Sequence, residues 1–246
     1  MLHPKKVGSL PIEGKDELKR TNEIKMAAPL LDAIDIEGKI VSADALLTQR
    51  DFAEYLVKER HAHYHFTVKM NQPTLLQDIS LYFEDRKEPD FVQYDTPDHG
   101  RIEARKIWTT TELNDYLNFP HVGQAFMIQR EATYKKTGEY TCEIAYGITS
   151  RTTEQANPER VLATNRGHWT IENECHYIID WNYDEDRSRI RTGNGPENIT
   201  RLRRFAIGII KTKGVRNVAQ KMRQLTQNVR AVFDYLRMSQ NSVPRT

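Results

Sequence analysis

One stretch of the chain, residues 166–191, is rich in side chains that could do chemistry. It reads RGHWTIENECHYIIDWNYDEDRSRIR and gathers carboxylates, two histidines and four arginines around two tryptophans. His168, Glu172, His176 and Asp180 follow at four-residue spacing, which places them on one side of a helix. Carboxylates suit Mg²⁺ and arginines suit phosphate, so the stretch favours metal-dependent phosphodiester chemistry. The alternatives are a helix whose polar edge only hydrogen-bonds neighbouring loops and, less well matched, a helix-bundle metal site, because the usual i, i+3 Glu–His pairing is absent.

The charge is divided unevenly along the chain. The net charge is +2, but Arg187 to Thr246 contains fourteen Lys/Arg residues against Glu197 and Asp234, a balance of +12 that leaves −10 for the preceding residues. A basic segment of this kind is either a solvated helix face or a phosphate-binding surface. Because acidic residues directly precede it, we favour a nucleic acid as the partner.

Composition limits the class of protein. A chain of 246 residues with 38% hydrophobic content can bury one core, with or without an inserted excursion. The mean hydropathy of −0.70 and the lack of an apolar run near ~18 residues argue against a membrane span. The start, MLHPKKVGSL, lacks the apolar core of a secretory signal. Two cysteines, Cys142 and Cys175, favour neither a disulfide framework nor a thiolate metal site, so we expect a cytoplasmic protein.

The elements that must position these residues alternate between helix and strand near the amino end. The apolar pattern predicts, in order, a strand over Lys6–Glu13, a helix over Thr21–Asp35, a strand over Lys39–Ala45, a helix over Thr48–Arg60 and a strand over His63–Met70. This β-α-β alternation predicts parallel strands. Asp44 then lies at the carboxyl end of a strand, where open α/β sheets bind ligands.

From about Glu84 to Ser150 the pattern changes to alternating apolar and polar residues. The segments FVQYDT, GRIEARKIWT, QAFMIQREATY and EYTCEIAYGITS are separated by turn signals, which predicts antiparallel strands. Helix returns from about Thr153, continues through the stretch 166–191 and resumes at NGPENITRLRRFAIGIIK. There we expect Asn194 to cap the helix, Pro196 to occupy its first turn and Glu197 to complete a capping box. A buried stripe should form from Ile199, Leu202, Ala206 and Ile209.

Three motifs, in order, resemble the insertion-sequence transposases of the H-repeat-associated type, a branch of the DDE transposases. They are IVSADALLTQRDFAEYLVKERHAHYHFTVKMNQPTLLQDI, DHGRIEAR and NRGHWTIENECHYIIDWNYDEDRSRIRTGNGPENITRLRRFAIGIIK, and the likeness runs from about Asn22 to Lys213. The resemblance implies an α/β, ribonuclease-H-like core that cleaves and transfers DNA strands with two Mg²⁺ ions. Asp44 in SADA matches the second of the family's two catalytic aspartates and Glu172 in HWTIEN its glutamate, so both are assigned as catalytic and metal-binding.

The resemblance and the charge together predict contacts with transposon-end DNA. They imply a nucleoid-associated protein that self-associates as a transposase dimer. The predicted contact residues are Lys69, Asn71, Gln72, Arg101, Arg166, His168, Trp169, His176, Arg187, Arg189, Arg191, Arg203 and Arg204. The segment KMNQ departs from the family's KGNQ, because Met70 replaces the glycine. In the family the β-rich stretch is an insertion into the core. We therefore predict a single partial catalytic domain, 1–246, divided into core (1–83), insertion (84–150), core helices (151–213) and basic helical tail (214–246).

The amino end departs further from the family. The first catalytic aspartate of the family stands in a DGK motif on the first core strand, and only 21 residues here precede the segment that begins at Asn22. Glu13, Gly14 and Lys15 imitate that motif, but the interval to Asn22 is too short for two further strands, so we expect the first core strand to be missing. Three functions stay open: a transposase polypeptide with an incomplete catalytic set, a non-catalytic DNA-binding derivative, and an unrelated metal-dependent nuclease. In the nuclease, the third carboxylate would come from Glu13, Asp16, Asp184, Glu185 or Asp186.

Overall fold

The computed structural model describes residues 15–95, 100–168, 178, 179, 183, 188–215 and 217–238, with the backbone alone for residues 15–22. The chain forms two compact units, residues 1–168 and residues 169–246. The predicted strand Lys6–Glu13 lies outside the described residues. In the part of the chain that is described, no helix is long and apolar enough to cross a membrane.

The first unit is a mixed α/β structure around a six-stranded sheet. Its elements in chain order are α1 (Lys15–Leu31), β1 (Ile40–Ala43), a 3₁₀ turn (Ala45–Leu47), α2 (Arg50–Glu54) with a π-helical turn (Tyr55–Glu59), β2 (His63–Val68), α3 (Pro73–Glu84), β3 (Phe91–Tyr94), β4 (Arg101–Thr110), β5 (Gln124–Tyr134), β6 (Tyr140–Thr149) and α4 (Pro158–His168). Among the described residues, the predicted strands and the helices predicted to begin at Thr21, Thr48 and about Thr153 are confirmed, with ends that differ by as many as six residues. The prediction that helix continues through 166–191 is wrong at residues 188–191, which are not helical, and α3 was not predicted.

The strand order is β1-β2-β6-β5-β4-β3. β1 and β2 are parallel, with Ile40 opposite His63 and Ala43 opposite Phe66, and the crossover between them contains α2. The pairings among β3, β4, β5 and β6 are antiparallel, as the alternating segments predicted, and β2 also pairs antiparallel with β6. In the described part of the chain β1 pairs with β2 alone, so its other side is a sheet edge.

Both faces of the sheet are covered by helices, because successive side chains of a strand point to opposite faces. Trp108 and Met127 pack on one face with residues of α3, in a core that also includes Phe52, Phe66, Ile79 and Phe83. Their neighbours Ile107, Phe126 and Ile128 pack on the other face against Val161 and Leu162 of α4. Two buried faces fix the strand register, since a slip of one residue would exchange the two cores.

The second unit contains α5 (Gly195–Thr212), α6 (Val218–Thr226) and α7 (Val229–Tyr235). Its core consists of Ile179, Ile207, Ile210 and Val218. The predicted buried stripe of α5 is wrong, since Leu202 is 62% exposed, and the buried positions are Ile207 and Ile210. Apolar residues crowd the segment RFAIGII, so periodicity alone did not decide which line of side chains meets α6.

The start of α5 agrees only in part with the sequence. Pro196 occupies the first turn, but the side chain of Asn194 makes no capping hydrogen bond. Glu197 pairs with Arg201 one turn further along the helix instead of closing a capping box. Helix propensity and the proline therefore place this end of α5 without the predicted side-chain cap.

Candidate active site

Asp44 stands directly after β1 and is exposed. Its backbone is extended, with φ −72° and ψ 178°, and it caps the 3₁₀ turn. The carboxylate oxygen Oδ1 accepts hydrogen bonds from the backbone amides of Leu46, at 3.1 Å, and Leu47, at 3.4 Å. These bonds satisfy amides that a helical turn leaves unpaired and fix the direction of the carboxylate.

Thr48 ties the end of this turn to the sheet. Its side chain is fully buried, and its hydroxyl donates to the carbonyl oxygen of Thr67 in β2 at 2.7 Å. The same hydroxyl lies 3.3 Å from the carbonyl oxygen of Asp44. The segment from Asp44 to Thr48, which we call the Asp44 turn, is therefore attached to the adjacent parallel strand.

The predicted DNA-contact segment KMNQ lies beside the Asp44 turn. The Asn71 amide Nδ2 donates to the carbonyl oxygen of Ala45, and Gln72 Nε2 donates to the carbonyl oxygen of Thr48 at 2.9 Å. Lys69 is exposed, and Met70 is 75% exposed. Two of the three predicted contact side chains thus hold the backbone that carries Asp44.

The carboxyl end of α4 lies over β1 and β2. His168 Nδ1 is 3.3 Å from the hydroxyl oxygen of Ser42, two residues before Asp44, and His65 Nε2 is 3.4 Å from Asn165 Oδ1. Burial lowers the pKa of His65 to about 4, because the charged imidazolium would lose its hydration. His65 is therefore neutral at neutral pH, so no charge is buried beneath α4.

The motif DHGRIEAR contributes a buried ion-pair network. Arg101, Glu103 and Arg105 alternate along β4 and so point to one face of the sheet. Burial alone would raise the pKa of Glu103, but hydrogen bonding to Arg130 and the charges of Arg130, Arg105 and Arg101 hold it below its usual value. Sequence reasoning predicted Arg101 as a DNA contact and missed this network, although the i, i+2, i+4 spacing in RIEAR signalled it.

The predicted contact Arg166 belongs to the same charged region. Its guanidinium lies 2.8 Å from Asp95, which also pairs with Arg105. Arg101 pairs with Glu103 at 3.0 Å and stacks over the Tyr134 ring. Both predicted DNA contacts therefore already have carboxylate partners within the fold.

The second unit contains the remaining described contact residues. Arg189 and Arg191 are exposed, Arg203 and Arg204 are partly buried, and the guanidinium of Arg203 lies 5.7 Å from the centre of the Tyr183 ring. Glu172, together with Trp169, His176 and Arg187, lies outside the described residues. Of the two predicted catalytic carboxylates the structure thus places Asp44.

The donor chemistry of Asp44 fits a divalent cation. An exposed carboxylate with one oxygen held by backbone amides leaves its second oxygen directed away from those amides, and Mg²⁺ binds through one or two such carboxylates with water completing its shell. Among the described residues, no group of three or more His, Cys, Asp or Glu side chains is arranged to hold a metal.

The sequence matches the family described as Transposase DDE domain over residues 10–207. The chain belongs to this family. It is 30% identical to the putative protein YbfL and 29% identical to the H repeat-associated putative transposase YhhI, both of Escherichia coli (strain K12), and each match covers 84% of this chain and 57% of the relative. The resemblance to transposases of the H-repeat-associated type is confirmed.

This chain of the transposase DDE domain family spans about half the length of the curated relatives that it matches. The putative transposase YncI of Escherichia coli O157:H7, which is 26% identical, matches over 78% of this chain and 50% of its own length. The piggyBac transposase, solved as a synaptic complex with hairpin DNA, aligns with 90% of this chain at a TM-score of 0.40 and 12% identity, and the alignment covers 42% of the piggyBac chain.

Proposed function

We propose that this chain is the catalytic part of a DNA transposase of the H-repeat-associated type, which cleaves phosphodiester bonds and transfers strands at transposon ends in the cytoplasm, on nucleoid DNA. Family membership supports the reaction class. The single observation that carries the proposal at residue level is Asp44, exposed at the carboxyl end of β1 with Oδ1 held by the amides of Leu46 and Leu47. That is where an α/β sheet presents a ligand-binding carboxylate.

Asp44 and Glu172 would hold the divalent ions, with Mg²⁺ as the expected metal. When bound, such ions activate the attacking water or 3′-hydroxyl and stabilise the leaving oxygen. The chain's own contribution is to fix the Asp44 carboxylate through the two amides and to supply cationic side chains for the phosphates. Glu172 is proposed for this role because, in HWTIEN, it matches the family's glutamate.

The fold is proposed to be ribonuclease-H-like. The parallel pair β1 and β2 with its helical crossover, and the aspartate at the end of β1, support this assignment. β3 to β6 would then be the insertion between the two carboxylates. The sheet edge at β1 supports the expectation that a further core strand, carrying the family's first aspartate, pairs there.

Two of the three carboxylate positions of the family are matched in this chain. A pair of metal ions needs a shared ligand, and each 1.36 kcal/mol lost from transition-state stabilisation costs tenfold in rate. We therefore expect this chain alone to bind DNA and to show no cleavage above background. A non-catalytic DNA-binding derivative would behave in the same way, and the next experiment separates the two.

The test compares this chain with a version extended at its amino end by the family's DGK-containing strand. Both are incubated with transposon-end DNA and Mg²⁺, and cleaved and joined products are separated on a denaturing gel. Activity of the extended protein that disappears in Asp44→Ala and in Glu172→Ala supports the transposase. Inactivity of the extended protein favours the DNA-binding derivative, and metal-dependent cleavage by the present chain that is lost in Glu172→Ala favours the nuclease.

A further inference from the structure

The Asp44 carboxylate depends on the backbone that follows it. Oδ1 is held by the amides of Leu46 and Leu47, so any shift of the Asp44 turn rotates the carboxylate. The turn is only a single 3₁₀ turn, whose own hydrogen bonds are few and of poor geometry. Its position therefore has to be set by contacts from outside the turn.

Those contacts come from the segment that follows β2. Asn71 donates to the carbonyl oxygen of Ala45, at the start of the turn, and Gln72 donates to that of Thr48, at its end. The hydroxyl of Thr48 adds a third bond, to the carbonyl oxygen of Thr67. The side-chain amides of Asn71 and Gln72 thus bind the turn on both sides of Leu46 and Leu47.

We infer that Asn71 and Gln72 are positioning residues for Asp44, which hold its carboxylate in the direction needed to bind a divalent cation. This inference rests on the proposed function, because it assumes that Asp44 is a metal ligand. It also reassigns KMNQ, whose amides the sequence had predicted as DNA contacts. Lys69, which is exposed and lies two residues before Asn71, keeps its predicted role as a DNA contact.

The test uses the full 246-residue chain labelled with ¹⁵N-leucine, as wild type, Asn71→Ala and Gln72→Ala. Hydrogen exchange reports whether the amides of Leu46 and Leu47 remain bonded, and Mn²⁺ titration reports metal binding through broadening of the same signals. Duplex DNA affinity is measured at fixed salt. Gln77→Ala is the matched control, since Gln77 is an exposed amide side chain on α3.

We expect faster exchange of both leucine amides and about tenfold weaker Mn²⁺ affinity in Asn71→Ala, in line with the loss of outer-shell partners in metal sites. Gln72→Ala should act in the same direction, while DNA affinity and the control stay unchanged. Melting temperature is measured in parallel, because a merely structural effect would lower it without changing the Mn²⁺ affinity of the folded protein.

Where Asp44→Asn binds Mn²⁺ more weakly than wild type, two outcomes overturn the inference. In the first, both variants show the exchange rates and the Mn²⁺ affinity of the wild type but bind DNA more weakly. That result would make Asn71 and Gln72 DNA contacts. The other is a lowered melting temperature with unchanged Mn²⁺ affinity. If wild type and Asp44→Asn bind Mn²⁺ equally, the proposed metal role of Asp44 fails, independently of Asn71 and Gln72. Faster exchange of the leucine amides in Asn71→Ala would then still support the positioning of the Asp44 carboxylate. Unchanged exchange would overturn that positioning.

Discussion

The imidazole of His65 stacks on the ring of Phe126, with ring centroids 4.7 Å apart and planes inclined by 17°. His65 is 3% exposed, and burial lowers its pKa from 6.5 to about 4. Between these two pH values the unfolded chain binds a proton that the folded protein does not. The contribution of neutral His65 to the free energy of unfolding is therefore complete above pH 6.5, and it is lost as the pH decreases toward 4.

We expect a loss of about 3 kcal/mol in the free energy of unfolding between pH 7 and pH 4 from this residue. Urea unfolding across this range should show a much smaller loss in His65→Gln. His63 is the control, because it is only partly buried and its pKa is lowered less severely, so His63→Gln should retain most of the pH dependence. Equal pH dependence in wild type and His65→Gln would contradict the assignment.

Glu103 should contribute more to stability than any surface carboxylate of the same network. It is buried and pairs with Arg101, Arg105 and Arg130, so Glu103→Gln leaves three guanidinium groups without their shared counter-charge. Denaturant unfolding should show a loss of about 3 kcal/mol. Glu143→Gln is the matched control: Glu143 pairs with Arg130 at the exposed end of the network, and its loss should cost less than about 1 kcal/mol. Similar losses of unfolding free energy in the two variants would show that the burial of Glu103 in the network does not add to stability.

Gly147 is required by the packing between β5 and β6. A Cβ atom there would lie 2.2 Å from the Phe126 ring and 2.6 Å from the carbonyl oxygen of Phe66. Gly147→Ala should therefore reduce stability by about 1–3 kcal/mol. Gly167→Ala is the control, because among the described residues outside its own turn of α4 no atom lies within 4 Å of its Cβ position, and alanine favours a helix. A neutral Gly147→Ala would show that the ring moves aside at little cost.

The basic segment should give DNA binding that weakens steeply with salt. The logarithm of the binding constant should fall with the logarithm of salt by about 0.9 per phosphate neutralised. Replacing the exposed Arg189 and Arg191 by alanine should reduce this slope by about 2. Lys58→Ala, on an exposed residue paired with Glu54, should leave it unchanged. A slope near zero in the wild type would separate the basic segment from DNA binding.

No strand of the described residues pairs with the outer edge of β1, and this edge should promote self-association of the chain. Unpaired backbone donors and acceptors on an edge strand pair readily with another strand. Sedimentation velocity over the micromolar range should show concentration-dependent species, and these should diminish in Ile40→Lys, which places a charge on the exposed start of β1. A monomer at all concentrations together with a sharp two-state melt would mean that this edge is covered.

The sequence by itself determined the family and most of the elements of the first unit, although α3 was not predicted. Period-two alternation in residues 91–149 predicted the antiparallel strands, and the SADA motif placed Asp44 at a strand end, because local pattern and turn chemistry act over a few residues. Only the tertiary structure decided which partners the polar residues take. Asn71 and Gln72 bind carbonyl groups 24 or more residues away, Glu103 gathers arginines from two strands, and α5 buries Ile207 in place of Leu202. Such pairings depend on which distant chain segments meet in the folded protein. The spacing of neighbouring residues in the sequence does not specify those meetings.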